Sequence, residues 1–337
     1  MKSGWSREDS LMSSTLLEQK QTPKPRIITT ELRLTDKVFR GVVTGGGLIS
    51  LTLLGLIGFF LVYNGFEAMR SAGMAFLTGF EWVDAVPENN QPAAYGIGAM
   101  LYGTVVTGIL AMIIGVPIAV GTALFLSYYA PAWLKKPMVV VVDVMAAIPS
   151  IVYGLWGYFV LMPHAEYWAK LIHKYFGFIP FFDMPAPVFT RSPFIASLVL
   201  AIMITPIITA IAREVFAQTP LERIQAAYAL GATKWSMIKA VVFPYGRGGV
   251  VGGAMLGLGR ALGETVAVYT VLNLVYDIRI EVLLSAGGNV ASMIVNKFGE
   301  ADFVELQALM AAGFVLFLVT LIVNFIANYI INKTARE

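Results

Sequence analysis

The chain has 337 residues, of which 57% are hydrophobic and 13% are charged, and its mean hydropathy is +0.73. A soluble domain of this length could not bury so much apolar surface, so the composition is typical of a polytopic membrane protein. The formal net charge of +3 is too small and too evenly spread to indicate a nucleic-acid partner. The chain has no cysteine, which excludes disulfides and thiolate metal sites, and no metal site is predicted.

The first 40 residues are polar and contain eight basic and five acidic residues, so we expect a mostly disordered tail. Six apolar segments follow that are long enough to cross a bilayer, which needs about 20 helical residues. We expect membrane-spanning helices at 41–63, 96–128, 138–161, 193–216, 249–274 and 303–331. The sequence therefore predicts an all-α membrane domain over 41–332, with a short terminus at 333–337.

Lysine and arginine counts indicate the orientation of the six spans. With the N-terminus inside, the inner segments hold sixteen basic residues and the outer loops hold six. Both termini are therefore expected in the cytoplasm, and the protein in the cell membrane. In the third span Pro149 interrupts the helix, because proline lacks the N–H that a helix interior uses. Pro149 and Ser150 are therefore candidates for a helix break that borders a pathway.

The fifth span carries two charges near its middle, Arg260 and Glu264. If the span begins near Gly249, Arg260 lies roughly 15 Å along it, about half the depth of the hydrocarbon core. Burying an arginine there costs about 2.5–3.5 kcal/mol on insertion scales. The spacing of four predicts an ion pair on one face of a continuous helix, pointing at other helices or a polar cavity. The alternative is that the pair is an internal staple and the neighbouring glycines only allow close packing.

Between the fourth and fifth spans, the polar segment Thr219–Pro244 predicts two short helices. Thr219 and Glu222 have capping-box spacing, and Gly231 fits a left-handed helix end. Thr233 is placed to cap a second helix that ends before Pro244. Two stiff helices joined by a glycine would form a projection able to dock on a partner, although an amphipathic hairpin on the membrane is the alternative.

The run QAAYALGATKWSMIKAVVFP in this segment resembles the EAA loop of ABC importer permeases. The resemblance implies a coupling loop at 218–244 that seats in a separate ATP-binding subunit. Gln225 replaces the usual glutamate and Phe243 the usual leucine, which puts one contact to the ATPase in doubt. The predicted coupling residues are Glu222, Gln225, Ala226, Ala227, Gly231 and Ala232.

Two further segments, AAIPSIVYGLWG (146–157) and GLGRALGETVAV (257–268), resemble the phosphate-importer permeases of the PstC type. The resemblance implies a type I ABC importer permease fold and a role of Arg260 and Glu264 in the passage of phosphate. The predicted pathway residues are Arg260, Glu264, Gly257, Gly259 and Gly263. The implied partners are a PstA-like second permease, a PstB-like ATP-binding dimer, a PstS-like external phosphate-binding protein and the surrounding lipid.

The chemistry of arginine is consistent with an anion, because a guanidinium presents paired donors that match phosphate oxygens and stays charged. We hypothesise that Glu264 competes for Arg260 and keeps anion binding weak enough for release. No Walker A pattern or nucleophile–base pair occurs, so we expect neither an ATPase site, a catalytic residue nor a cofactor in this chain. The alternatives are an importer of another oxyanion such as sulfate or molybdate, a secondary anion transporter and a membrane enzyme.

Overall fold

The computed structural model describes residues 34–84, 93–184 and 188–334. Most of the predicted N-terminal tail and the last three residues lie outside this described part. The chain divides into two units at residues 55 and 56, within the first helix. The architecture is all-α, as predicted, apart from one two-stranded antiparallel ribbon, β1 (Trp82–Val83) with β2 (Ala94–Tyr95), in which Trp82 pairs with Tyr95.

The described α-helices follow one another with few long connections. In chain order they are α1 Leu34–Ala72, α2 Met74–Thr78, α3 Gly98–Leu124, α4 Ala132–Ala147, α5 Ser150–Trp156, α6 Met162–Phe176, α7 Pro193–Ala217, α8 Leu221–Ala229, α9 Lys234–Met237, α10 Phe243–Leu262, α11 Val266–Val271, α12 Val290–Phe298 and α13 Phe303–Thr334. Three π-helical segments extend or join them: Phe125–Tyr129 after α3, Gly157–Leu161 between α5 and α6, and Ile238–Val242 between α9 and α10. A 3₁₀ turn lies at Pro180–Phe182.

Four helices of the described chain are long and apolar enough to cross a membrane: Leu34–Ala72, Gly98–Tyr129, Pro193–Ala217 and Phe303–Ile326. They contain or closely match the predicted first, second, fourth and sixth spans. α1 continues nine residues past the predicted end at Tyr63. The helix ends just before Gly73, which has a φ of 54°. A positive φ is common at helix ends and favours glycine.

The third predicted span is bent by 97° between α4 and the helix that begins at Ser150. Ile148 and Pro149 have extended backbone, with ψ of 131° and 140°. The predicted interruption at Pro149 is confirmed, because the proline ring forces the preceding residue out of the helical region. The segment 138–161 is therefore a broken span or a re-entrant element rather than one straight crossing.

The fifth predicted span, 249–274, is not the continuous helix that the sequence indicated. α10 ends at Leu262, residues 263–265 leave the helix, and α11 begins at Val266. Gly263 is a weak helix former, and the N–H groups at the start of α11 find a side-chain acceptor in place of a preceding helical turn. The prediction of one continuous helix over 249–274 is therefore wrong, while the order of the segments stands.

α7 is the most buried of the four apolar spans, and 61% of its most apolar 18 residues are buried. Its Ser192 cap accepts a hydrogen bond from the Ile195 N–H at 3.4 Å. Hydroxyls of α7 donate across to carbonyls of α3, from Ser197 to Thr107 at 3.3 Å and from Thr209 to Ala119 at 3.2 Å. These bonds satisfy polar groups inside the bundle and hold the two helices side by side.

Candidate functional site

The helices that follow two helix breaks pack against each other at the candidate site. α5, which follows the Pro149 break, packs against α11, which follows the break at residues 263–265. The contact needs a glycine at position 154, because a Cβ there would lie 2.8 Å from the Cα of Ala267 and would also meet Thr270 Oγ1. The two segments that carried the sequence resemblance are therefore neighbours in space.

Glu264 holds the second break and is buried, with 8% of its surface exposed. Its Oε1 accepts a hydrogen bond from the Ala267 N–H at 3.1 Å, so the side chain supplies an acceptor at the start of α11. Its main-chain oxygen accepts from Asn289 Nδ2 at 3.0 Å, and Thr265 Oγ1 donates to the Gly263 carbonyl at 3.2 Å. The interruption is thus a defined conformation held by hydrogen bonds rather than a frayed helix end.

Asn289 fastens this break to two further helices and was missed as a site residue by the sequence analysis. It is 1% exposed, and its Oδ1 accepts from the Ser292 N–H at 2.6 Å in a reciprocal capping box that begins α12. The next residue, Val290, donates its N–H to Thr104 Oγ1 of α3 at 3.1 Å. The available signal was a cap residue three positions before a serine, directly after two glycines.

Arg260 lies in the last turn of α10 and is half-buried. The predicted ion pair with Glu264 is wrong: among the described residues, no nitrogen–oxygen contact within 4.0 Å joins them. The i, i+4 spacing brings side chains together only along a continuous helix, and the chain leaves the helix at Gly263. Tyr153 of α5 donates to the Met145 carbonyl at 2.7 Å, across the Pro149 break.

Two of the glycines of α10 allow this helix to pack closely against α7. Gly253 and Gly257 are buried against Ile211 and Ile208 of α7, where a Cβ would come within 3.0 Å and 2.7 Å of isoleucine carbons. Gly257 therefore packs against α7, which supports the packing alternative at this position, and its assignment to the pathway stays a prediction.

The remaining small residues lie nearer the breaks. A Cβ at Gly259 would lie 3.3 Å from Asn324 Oδ1 of α13, so this glycine faces a polar side chain of the last span. Gly263 is exposed at the break itself, Pro149 is exposed at the other break, and Ser150 is half-buried beside it. These four predicted residues stay candidates for the pathway.

The predicted coupling loop folds into α8 and α9 joined at Gly231, which has φ of 80°, the left-handed conformation expected there. Thr233 accepts a hydrogen bond from the Ser236 N–H at 3.2 Å, so its predicted cap is confirmed. The capping box of Thr219 with Glu222 does not form. Pro220 takes the cap position with ψ of 126°, which moves the helix start one residue past the point that Thr219 would cap.

The second helix was predicted to end before Pro244, and this prediction is wrong. The helix continues through the π-helical segment Ile238–Val242 into α10. A π turn bonds residues five apart, so a proline with no N–H is accommodated in the first turn that follows it. The loop is therefore in continuous helical connection with Arg260. Displacing α9 would displace the helix that ends at the break at 263–265.

The loop exposes most of the predicted coupling residues. Glu222, Gln225, Ala226 and Gly231 are exposed, whereas Ala227 and Ala232 are half-buried and pack against the apolar cluster around Met237 and Ile238. Leu230 is 90% exposed at the tip. An apolar side chain this exposed on a rigid projection is typical of a contact surface.

The family model for the binding-protein-dependent transport system inner membrane component matches residues 111–336. The chain belongs to this permease family. It is 38% identical to the phosphate transport system permease protein PstC of Xylella fastidiosa strain 9a5c, over 97% of this chain and 99% of that protein. It is 37% identical to PstC 2 of Mycobacterium tuberculosis strain H37Rv, over 91% and 96% of the two chains. The resemblance to PstC-type permeases is thereby confirmed.

A solved bacterial ABC transporter involved in the import of the acidic polysaccharide alginate supports the fold. It aligns with a TM-score of 0.50 at 16% identity, covering 88% of this chain and 98% of that one. The permease is thus a multi-pass inner-membrane transporter component.

Proposed function

We propose that this permease is the PstC-type subunit of an ATP-driven phosphate importer and forms half of the translocation pathway. The substrate is proposed from the names of the curated relatives, which match almost the whole chain. The proposed partners are a PstA-like permease, a PstB-like ATP-binding dimer that supplies the energy, and a PstS-like external phosphate-binding protein. In this proposal both termini lie in the cytoplasm.

The observation that carries the proposal is the position of Arg260 in the last turn of α10, three residues before the break at Gly263, with no carboxylate oxygen within 4.0 Å among the described residues. A guanidinium paired with a carboxylate would have its forked donors occupied. Here Glu264 is engaged by α11, so the donors of Arg260 are open to an oxyanion. Main-chain groups at the breaks add polar partners where a continuous helix would have none.

Glu264 forms no ion pair with Arg260 in the described conformation, so it does not compete directly with the anion for the guanidinium. Weak anion binding therefore needs another explanation. In the described conformation Glu264 is a positioning residue that fixes where α11 begins relative to Arg260. We propose that release follows from movement of α10, because the coupling loop reaches Arg260 through one continuous helical path. ATP-driven displacement of the loop would then separate Arg260 from the groups that share its anion.

Docking of the ATP-binding subunit is proposed at the exposed face of the coupling loop. Leu230 would enter an apolar cleft, and Glu222 and Gln225 would lie at its polar margin. Gln225 offers an amide where the loop pattern has a glutamate. The contact there is therefore a neutral hydrogen bond rather than an ion pair.

Radiolabelled phosphate uptake in cells carrying the permease with its neighbouring subunits tests the proposal. Wild type is compared with Arg260→Gln, and Arg279→Gln is the matched control because Arg279 forms only an exposed ion pair with Asp277. We expect ATP-dependent uptake that sulfate and molybdate do not compete, lost in Arg260→Gln and kept in Arg279→Gln. Transport of sulfate or molybdate in place of phosphate would support an ATP-driven importer but contradict phosphate as its substrate. Uptake independent of ATP would reject the importer.

A further inference from the structure

A second cationic site lies at the C-terminal end of α11, in a cavity of about 370 Å³. Its polar lining residues come from four parts of the chain. They are Tyr158, Arg191, Tyr269, Thr270, Asn273, Ser292 and Asn296. No aspartate or glutamate is among the described lining residues, so Arg191 supplies the only formal charge of the described wall.

Arg191 is held at this cavity by a specific geometry. Its guanidinium lies over the ring of Tyr158, with Cζ 5.2 Å from the ring centroid, and donates from Nη1 to Asn273 Oδ1 at 3.3 Å. The Asn273 amide is itself oriented, because its Nδ2 donates to Ser285 Oγ at 2.9 Å. The side chain is thus positioned by an aromatic face and a neutral oxygen, neither of which cancels its charge.

The backbone of Arg191 supports a functional reason for this placement. Arg191 has φ of 49°, the one positive φ of a non-glycine residue in the described chain. An L-residue with a side chain pays a steric cost in this conformation, and such strain is kept where the surrounding structure fixes a group in position. Arg191 directly precedes Ser192, the cap of α7, so the strained residue is anchored to the most buried helix.

The cavity and the Arg260 site lie at opposite ends of one short helix. Thr270 and Asn273 are at the end of α11 and just beyond it, whereas Glu264 fixes its start next to Arg260. α11 has six residues and is therefore about 9 Å long. In the proposed orientation the loops carrying Arg191 and Ser285 are external, which places the cavity before Arg260 on an inward path.

We propose that the Arg191 cavity is an entry site that takes the inorganic oxyanion, phosphate, before it reaches Arg260. This inference rests on the proposed function. Arg191 has five N–H donors, of which Asn273 accepts from one, leaving a forked pair for phosphate oxygens. The neutral hydroxyl and amide groups around it solvate the anion without binding it as tightly as a second cation would.

The test uses the complete four-component complex in phosphatidylcholine liposomes, with external phosphate-loaded binding protein and internal ATP. Initial ³²P-phosphate uptake and ATP hydrolysis are measured for wild type, Arg191→Gln, Asn273→Asp and the control Arg279→Gln. We expect at least a tenfold loss of uptake in Arg191→Gln, with ATP hydrolysis and melting temperature retained. Arg191→Lys should recover part of the uptake, because it restores the charge without the fork.

Asn273→Asp separates anion binding from a structural role of Arg191. The new carboxylate still accepts from Arg191, and the Ser285 hydroxyl would donate to it in place of accepting. It neutralises the guanidinium, so an entry site predicts loss of uptake. Normal uptake in Asn273→Asp, or in Arg191→Gln, would overturn the proposal, as would disassembly of the Arg191→Gln complex. A defect that appears only with anionic lipid would assign Arg191 to a headgroup and also overturn it. A wild-type complex that imports no phosphate would refute the proposed function itself.

Discussion

The contact between α5 and α11 can be tested with a single methyl group, in Gly154→Ala. The added Cβ would lie 2.8 Å from the Cα of Ala267, whereas unstrained carbon atoms approach to about 3.5–4.0 Å. The obstructing atom belongs to the backbone, so no side-chain rotation can relieve the overlap. One of the two helices must therefore move by about 0.7 Å or more.

Overpacking of this kind costs about 1–3 kcal/mol. We expect Gly154→Ala to lower the melting temperature of the purified complex by several degrees and to reduce phosphate uptake more than ATP hydrolysis, because the displaced helix borders the proposed pathway. Gly121→Ala is the matched control. Position 121 is also helical but has no atom within 4 Å of an added Cβ, so alanine should be neutral or stabilise by about 0.5–1 kcal/mol. An unchanged melting temperature and full uptake in Gly154→Ala would contradict the close packing of α5 against α11.

Three further substitutions test other parts of the structure. Asn289→Ala removes the cap of α12 and the donor to the Glu264 carbonyl, so it should lower the free energy of unfolding by about 1–2 kcal/mol and impair uptake. Wild-type stability and uptake would show that the break at 263–265 does not need these hydrogen bonds. Leu230→Asp should abolish co-purification of the ATP-binding subunit without altering the melting temperature, since Leu230 is 90% exposed, and retained co-purification would contradict the docking surface. Glu305→Ala should destabilise by about 1.5–3 kcal/mol, because the buried carboxylate accepts from Trp82 Nε1 at 2.7 Å, and an unchanged melting curve would contradict that bond.

Local sequence signals predicted the elements that depend on local chemistry. The fourth span, predicted at 193–216, is α7 at Pro193–Ala217. Gly231 and Thr233 occupy the predicted helix-end and cap positions, and Pro149 interrupts its helix. In each case the type of a single residue decides the backbone conformation within a few positions, so the local sequence contains the cause.

The break after Arg260 could not be predicted in the same way. Its hydrogen bonds include one from Asn289, which is 25 positions after Glu264, and its packing partner Gly154 comes more than a hundred positions earlier. Hydropathy averages over such a break, because the residues on both sides are apolar. The i, i+4 rule then predicted an ion pair that requires the helix to continue.

Arg191 was missed for a related reason. In the sequence it is one basic residue in an external loop, between a proline-rich stretch and a helix cap. Its significance depends on Tyr158 and Asn273, which only the tertiary structure brings to the same cavity. The coupling of α9 to α10 was likewise hidden, because a π-helical segment before Pro244 has no clear sequence pattern.

The central claim is that Arg260 contacts the transported anion and does not merely stabilise the permease. The most direct measurement is the ratio of ³²P-phosphate imported to ATP hydrolysed by the reconstituted complex, in wild type and Arg260→Gln. We expect the variant to assemble, to hydrolyse ATP in response to the loaded binding protein, and to import almost no phosphate. An unchanged ratio in an assembled Arg260→Gln complex would contradict the claim.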